Sequence, residues 1–153
     1  MAWLLALVGC GGSTCLWEDL TVGTSTATVD GAAWDGGVTS ANFAGDGLQL
    51  VTTGDGALRF TLVMQVDGTG RPMREALDAG EYPVEGVVFD GVDGAFATVF
   101  PASGSSYASA EGAPGTFSIE ASDDVSVSGC FAFEAGRSDG KVAFTEGAFA
   151  ASW

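Results

Sequence analysis

The sequence predicts an all-β fold: an antiparallel β-sandwich or flattened barrel of about eight to ten short strands with at most one helical turn. Three observations carry this. Apolar residues recur with period two, as in a strand with one face buried. Turn dipeptides such as Asp-Gly punctuate the chain at short intervals. The composition, with 24 glycines in 153 residues and an apolar fraction of 46%, disfavours helices yet supplies a core for one domain.

The elements follow in order. Thr24–Val29 reads as an early strand ending at Asp30-Gly31, and Val38–Phe43 as another. Leu48 and Leu50 begin a hairpin that turns at Thr53–Gly56 and returns along Leu58, Phe60, Leu62, Met64 and Val66, with Arg59, Thr61 and Gln65 opposite. Arg71–Gly80 is the one stretch with helical signals, Pro near its start and Gly at its end. Val87–Phe89 and Ala95–Phe100 flank a turn at Asp90–Gly94; Thr116–Ala121 and Val125–Ala135 flank Ser122-Asp123-Asp124. Val142–Thr145 and Ala148–Trp153 close the chain. Apolar parity changes between these two, from Val142 and Phe144 to Phe149, Ala151 and Trp153, which places a bulge at Glu146-Gly147. Phe60, Leu62, Phe117, Ile119, Phe131 and Phe133 are the expected core.

Charge and missing residue types remove whole classes of function. Five basic against 20 acidic residues leave a net charge of −15, which repels nucleic acid. There is no histidine, so Ser-His-Asp and Cys-His catalysis and the commonest zinc ligand are absent. No nucleotide-binding or EF-hand pattern occurs, and no cofactor is expected. Three weaker patterns each have a plain alternative. Lys141 could serve a Ser-Lys dyad, but Ser138-Asp139-Gly140-Lys141-Val142 reads as a hairpin turn. The Asp90–Gly94 and Ser122–Asp124 stretches could hold calcium, or simply be turns. Trp17, Trp34, Trp153, Tyr82 and Tyr107 could form a sugar-stacking platform, or fill the core and its ends.

The N-terminus is the most informative stretch. Ala2–Gly9 is apolar, too short to span a bilayer and of a length suited to a signal peptide. Leu7-Val8-Gly9-Cys10 resembles the bacterial lipobox, whose cysteine is diacylated and becomes the first mature residue. The short n-region, without Lys or Arg, departs from that pattern. Residues 1–9 are therefore expected to be a signal peptide, residues 10–23 a lipidated tether and docking segment, and residues 24–153 the β-sandwich domain. Export places the chain in an oxidising compartment. With Cys10 acylated, Cys15 and Cys130 remain as a pair, expected to form a disulfide. Val127, Phe131 and Phe133 face the core by parity, so Cys130 faces outward, and the N-terminal segment is expected to cross the outer face of a sheet.

Gly80-Glu81-Tyr82, Gly115–Ile119, Gly129–Phe133 and Val142–Phe149, with Ala27–Trp34 before them, resemble in order and spacing an uncharacterised family of secreted bacterial β-sandwich lipoproteins. The resemblance spans Thr26–Trp153, and Cys130 stands where that family has Thr or Ser, which favours a special local role for it. It implies a bacterial cell-envelope location and no catalytic residues. The expectation is a non-enzymatic, membrane-anchored domain with a binding or structural role toward an envelope protein or glycan. The alternatives are a self-associating assembly subunit and a small hydrolase using acidic residues.

Overall fold

The computed structural model describes residues 15–44, 47–53, 58–65, 79–84, 94–101, 105–109 and 115–153. The strands are β1 (Thr24–Val29), β2 (Ala32–Asp35), β3 (Thr39–Ala44), β4 (Gly47–Thr53), β5 (Leu58–Gln65), β6 (Gly80–Pro83), β7 (Gly94–Pro101), β8 (Tyr107–Ser109), β9 (Gly115–Ser122), β10 (Ser126–Arg137) and β11 (Gly140–Ser152). The fold is all-β; a single 3₁₀ turn, Trp17–Asp19, is the helical content of the described residues. Leu7–Cys10, most of Arg71–Gly80, Val87–Phe89 and Asp90–Asp93 lie outside those residues. So do the side chains of Phe60 and Leu62, on β5.

Two short elements, β2 and β8, add to the expected set, while β6 falls on Gly80-Glu81-Tyr82, a strand position implied by the resemblance. β2, β6 and β8 have four, four and three residues, too few to show an alternation. In the opposite direction, the two expected C-terminal strands are one, because a bulge bends a strand without ending it. The Asp30-Gly31 turn behaves as read: both residues take positive φ, 48° and 84°, the geometry of a two-residue hairpin whose twist matches its strands. Val29 and Ala32 close it.

The strand order is β2-β1-β11-β3-β4-β5-β7-β8-β10-β9-β6, with β10 and β11 also paired along their length. β2 and β6 end the sheet, which is not closed into a barrel. Two halves, β2-β1-β11-β10-β9-β6 and β3-β4-β5-β7-β8, meet among the described residues through slender contacts: one parallel pair, Ser152 with Ser40, two pairs between β8 and β10, and a parallel bridge between Val84 and Ala95. They share one core. Leu48 and Leu50 of β4 and Ala95, Ala97 and Val99 of β7 pack in the same cluster as Phe117, Ile119, Val127, Phe131 and Phe133. Inside it Phe117 stacks on Phe149 and Phe133 on Phe144, with ring centroids 5.2 and 4.8 Å apart.

A buried chain of hydroxyls reinforces the join between the halves. Thr39 donates to Ser25 at 2.9 Å, and Thr52 donates to the Gly36 carbonyl at 2.7 Å. That leaves the 2.8 Å contact between Ser25 and Thr52 for the Ser25 proton, so each hydroxyl has an acceptor. The three come from β1, β3 and β4 and are at most 1% exposed.

Close backbone approach explains Gly129. A Cβ there would lie 1.9 Å from the Ser118 carbonyl oxygen on β9. Gly129→Ala must push β9 from β10, and we expect it to cost about 1–3 kcal/mol or more. Urea titration checks this against Ser128→Ala, whose effect should stay within about 0.5 kcal/mol.

Candidate functional site

The bulge on β11 organises the outer face around Cys130. Phe131 pairs with Gly147 and Phe133 with Phe144, so β11 spends two residues, Thr145 and Glu146, against Ala132 alone. Glu146 takes φ 52° there. Val142 and Phe144 point inward before the bulge, Phe149 and Ala151 after it. Ala148 and Ala150 consequently face outward, yet they are 2% and 4% exposed. Something covers them, and it is the N-terminal segment.

On β10 the expected parity holds. Val127, Phe131, Phe133 and Ala135 are buried, whereas Cys130 is half-buried on the other face, beside Ala148 of β11 and Ser118 of β9. Cys15 stands at disulfide distance from it, with Cα atoms 5.9 Å apart across a sequence separation of 115. Leu16 then lies over a shallow hollow of about 260 Å³ formed with Thr26, Thr28, Glu146 and Ala148. Thr28 donates to the Glu146 carboxylate on its wall at 3.2 Å. The 3₁₀ turn follows, held by Asp19 N–H to the Leu16 carbonyl and Leu20 N–H to the Trp17 carbonyl. Gly23, with φ 93°, brings the chain to the sheet by donating to the Ala150 carbonyl at 2.6 Å.

A second hollow, about 300 Å³, is formed by β9, β10 and β11. Thr116, Ala132, Ala143 and Thr145 line it, and Glu134 stands at its edge with Lys141 at 2.9 Å. Flanking carboxylates are what the hydrolase alternative requires. Each of these two hollows carries one, Glu146 or Glu134. Lys141 sits at the β10–β11 hairpin as expected of a turn and spends its charge on Glu134.

The aromatic candidates are dispersed. Trp34 packs in the core with its ring 5.7 Å from Phe144. Tyr82 is on β6 at one end of the strand order, and Tyr107 on β8 lies 4.3 Å beneath the Arg137 guanidinium. Trp17 belongs to the 3₁₀ turn, and Trp153 donates from Nε1 to the Asp123 carbonyl at 2.9 Å. This is the arrangement of residues that fill the core and its ends.

The Ser122–Asp124 stretch is a turn that uses its carboxylate internally. Asp123 accepts from the Val125 and Ser126 amides, both at 2.8 Å. These two N–H groups, Val125 first, hold its carboxyl below the usual aspartate value. The bonds therefore stabilise the turn above the pKa of a free aspartate, and that stabilisation is lost as pH falls through the lowered, folded-state value. An NMR titration should show the Val125 and Ser126 amides moving at a more acidic midpoint than in a peptide of the same turn. An equal midpoint would contradict this.

Parity and the cysteine count reach Cys15 and Cys130; they do not reach Leu16, Thr28, Glu146 or the second hollow. The signal for these was the outward run of small residues, Ser128, Cys130 and Ala132 on β10 and Ala143, Ala148 and Ala150 on β11. Small outward side chains leave room for a chain to lie on the sheet. Comparison of the chain with protein-family models, with curated proteins and with solved structures finds no match.

Proposed function

We propose that the chain is a lipid-anchored domain of the bacterial cell envelope, cleaved before Cys10, acylated there, and serving a binding or structural role without catalysis. The supporting observation is the seam at Cys15 and Cys130. It lies five positions after the lipobox-like cysteine and joins the N-terminal segment to the sheet. A disulfide at this place suits an exported protein. Only Gly11–Thr14 separate Cys10 from Cys15, and four residues cover at most about 14 Å. The membrane is thus one partner and the domain sits close to it. An envelope protein or glycan is the proposed class for the other.

Self-association through a sheet edge is less favoured. The ends of the sheet are four-residue strands, and β6 contains Pro83, which has no N–H to offer a neighbour.

Acylation is tested by growing cells with an alkynyl fatty acid. Wild type should be labelled and Cys10→Ala should not. Equal labelling of both would contradict the proposal.

A further inference from the structure

We infer that residues 15–22 form a strap that a dithiol reductant releases from the outer face of the sheet, leaving the sandwich intact. Three observations on the segment carry this. First, none of its residues is buried: Leu16 and Val22 are 60% and 51% exposed, and Cys15, Trp17 and Leu20 are half-buried. Second, among the described residues, its main-chain bonds stay within the segment or at its end. Asp19 reaches Leu16, Leu20 reaches Trp17, and Thr24 reaches Thr21. The first main-chain tie to the sheet is Gly23 to Ala150. Third, the sheet beneath is complete without it, since β11 pairs directly with β1 on one side and β10 on the other. Between Cys15 and Gly23 the sulfur bridge is therefore the one strong fastening. Segments with little burial and few bonds to the body open at low free energy.

Both cysteines are half-buried at the surface, so the bridge is open to attack. One thiolate of the dithiol attacks a protein sulfur, giving a mixed disulfide and one free cysteine. The second thiol of the reductant then displaces the other cysteine. Two electrons pass from the dithiol, which leaves as a disulfide, and Cys15 and Cys130 end as thiols.

The consequence rests on the anchor proposed above. With the bridge closed, residues 11–14 alone separate Cys10 from the first fixed residue; with it open, residues 11–22 do. Twelve residues extend to about 40 Å against about 14 Å for four. Reduction would let the domain stand off the membrane and uncover the outward faces of Ala148 and Ala150.

The test is hydrogen exchange on the full natively extracted chain, oxidised and after dithiothreitol, with Cys130→Ser as a permanently open form. Exchange at Asp19 and Leu20 should accelerate by about tenfold or more on reduction, while Gly23, tied to the Ala150 carbonyl, should not follow them. Amides of Phe131, Phe133 and Phe149 should accelerate only by the factor that the loss of global stability, measured by urea unfolding of the same forms, requires. Unchanged exchange in the strap would overturn the inference. So would acceleration in β10 and β11 beyond that factor, which would mean that the sheet opens together with the strap. A second arm uses vesicles of phosphatidylcholine with a dansyl-labelled headgroup, where energy transfer from the domain's tryptophans should fall on reduction. Binding with unchanged transfer would overturn the stand-off. No binding in either redox state would instead overturn the anchor and leave the exchange result in place.

Discussion

Truncating Phe131 to alanine is expected to cost about 3–5 kcal/mol. Its ring is 2% exposed and stands 6.1 and 6.3 Å from those of Phe133 and Phe144. Its position is held from both sides, because β10 is paired with β9 along one edge and β11 along the other. On β11 the facing residue is Gly147, which has no side chain to move into the space. The site is poorly able to collapse, and a cavity that persists is what places a truncation at the high end of the range. Urea unfolding of Phe131→Ala measures the loss. A value below about 1 kcal/mol would show that this ring is not part of a packed core.

Loss of the Cys15–Cys130 bridge is the second large effect, and two opposing terms set its size. Opening a loop spanning 115 positions frees the unfolded chain, which by chain entropy alone would remove about 4–5 kcal/mol of stability. Opening it also frees the folded strap, which favours the native state. A net loss of about 2–4 kcal/mol is therefore expected for Cys130→Ser. Cys15→Ser should match it, and the double variant should be no worse than either, since the two residues act as one unit. A loss below about 0.5 kcal/mol in both single variants would show that the bridge does not constrain the domain.

The parts of the fold legible in the sequence were those set by neighbours along the chain. Strand parity in Val127, Phe131 and Phe133 gave the inward face and turned Cys130 outward. Asp30-Gly31 announced its hairpin because both positions need positive φ. The parity change at Glu146-Gly147 announced the bulge because one extra residue reverses every side chain beyond it. What stayed hidden depends on partners far apart in sequence. β11, the last strand, lies between β1 and β10 and touches β3, which alternation alone cannot reveal. The hydroxyls of Ser25, Thr39 and Thr52 looked like ordinary strand residues, since their burial follows from the folding-over of the sheet. Ala148 and Ala150 were legible only in part: their small outward side chains leave room for a covering chain, but which segment fills that room is set by the fold.

The claim on which anchor, bridge and strap all depend is best tested by the intact mass of the protein extracted from its native cells. The expected mass is that of a chain beginning at Cys10, increased by its acyl groups and lowered by two hydrogens for the bond between Cys15 and Cys130, with the two hydrogens restored on reduction. The mass of the unmodified chain still carrying residues 1–9, or free thiols at Cys15 and Cys130 before reduction, would contradict it.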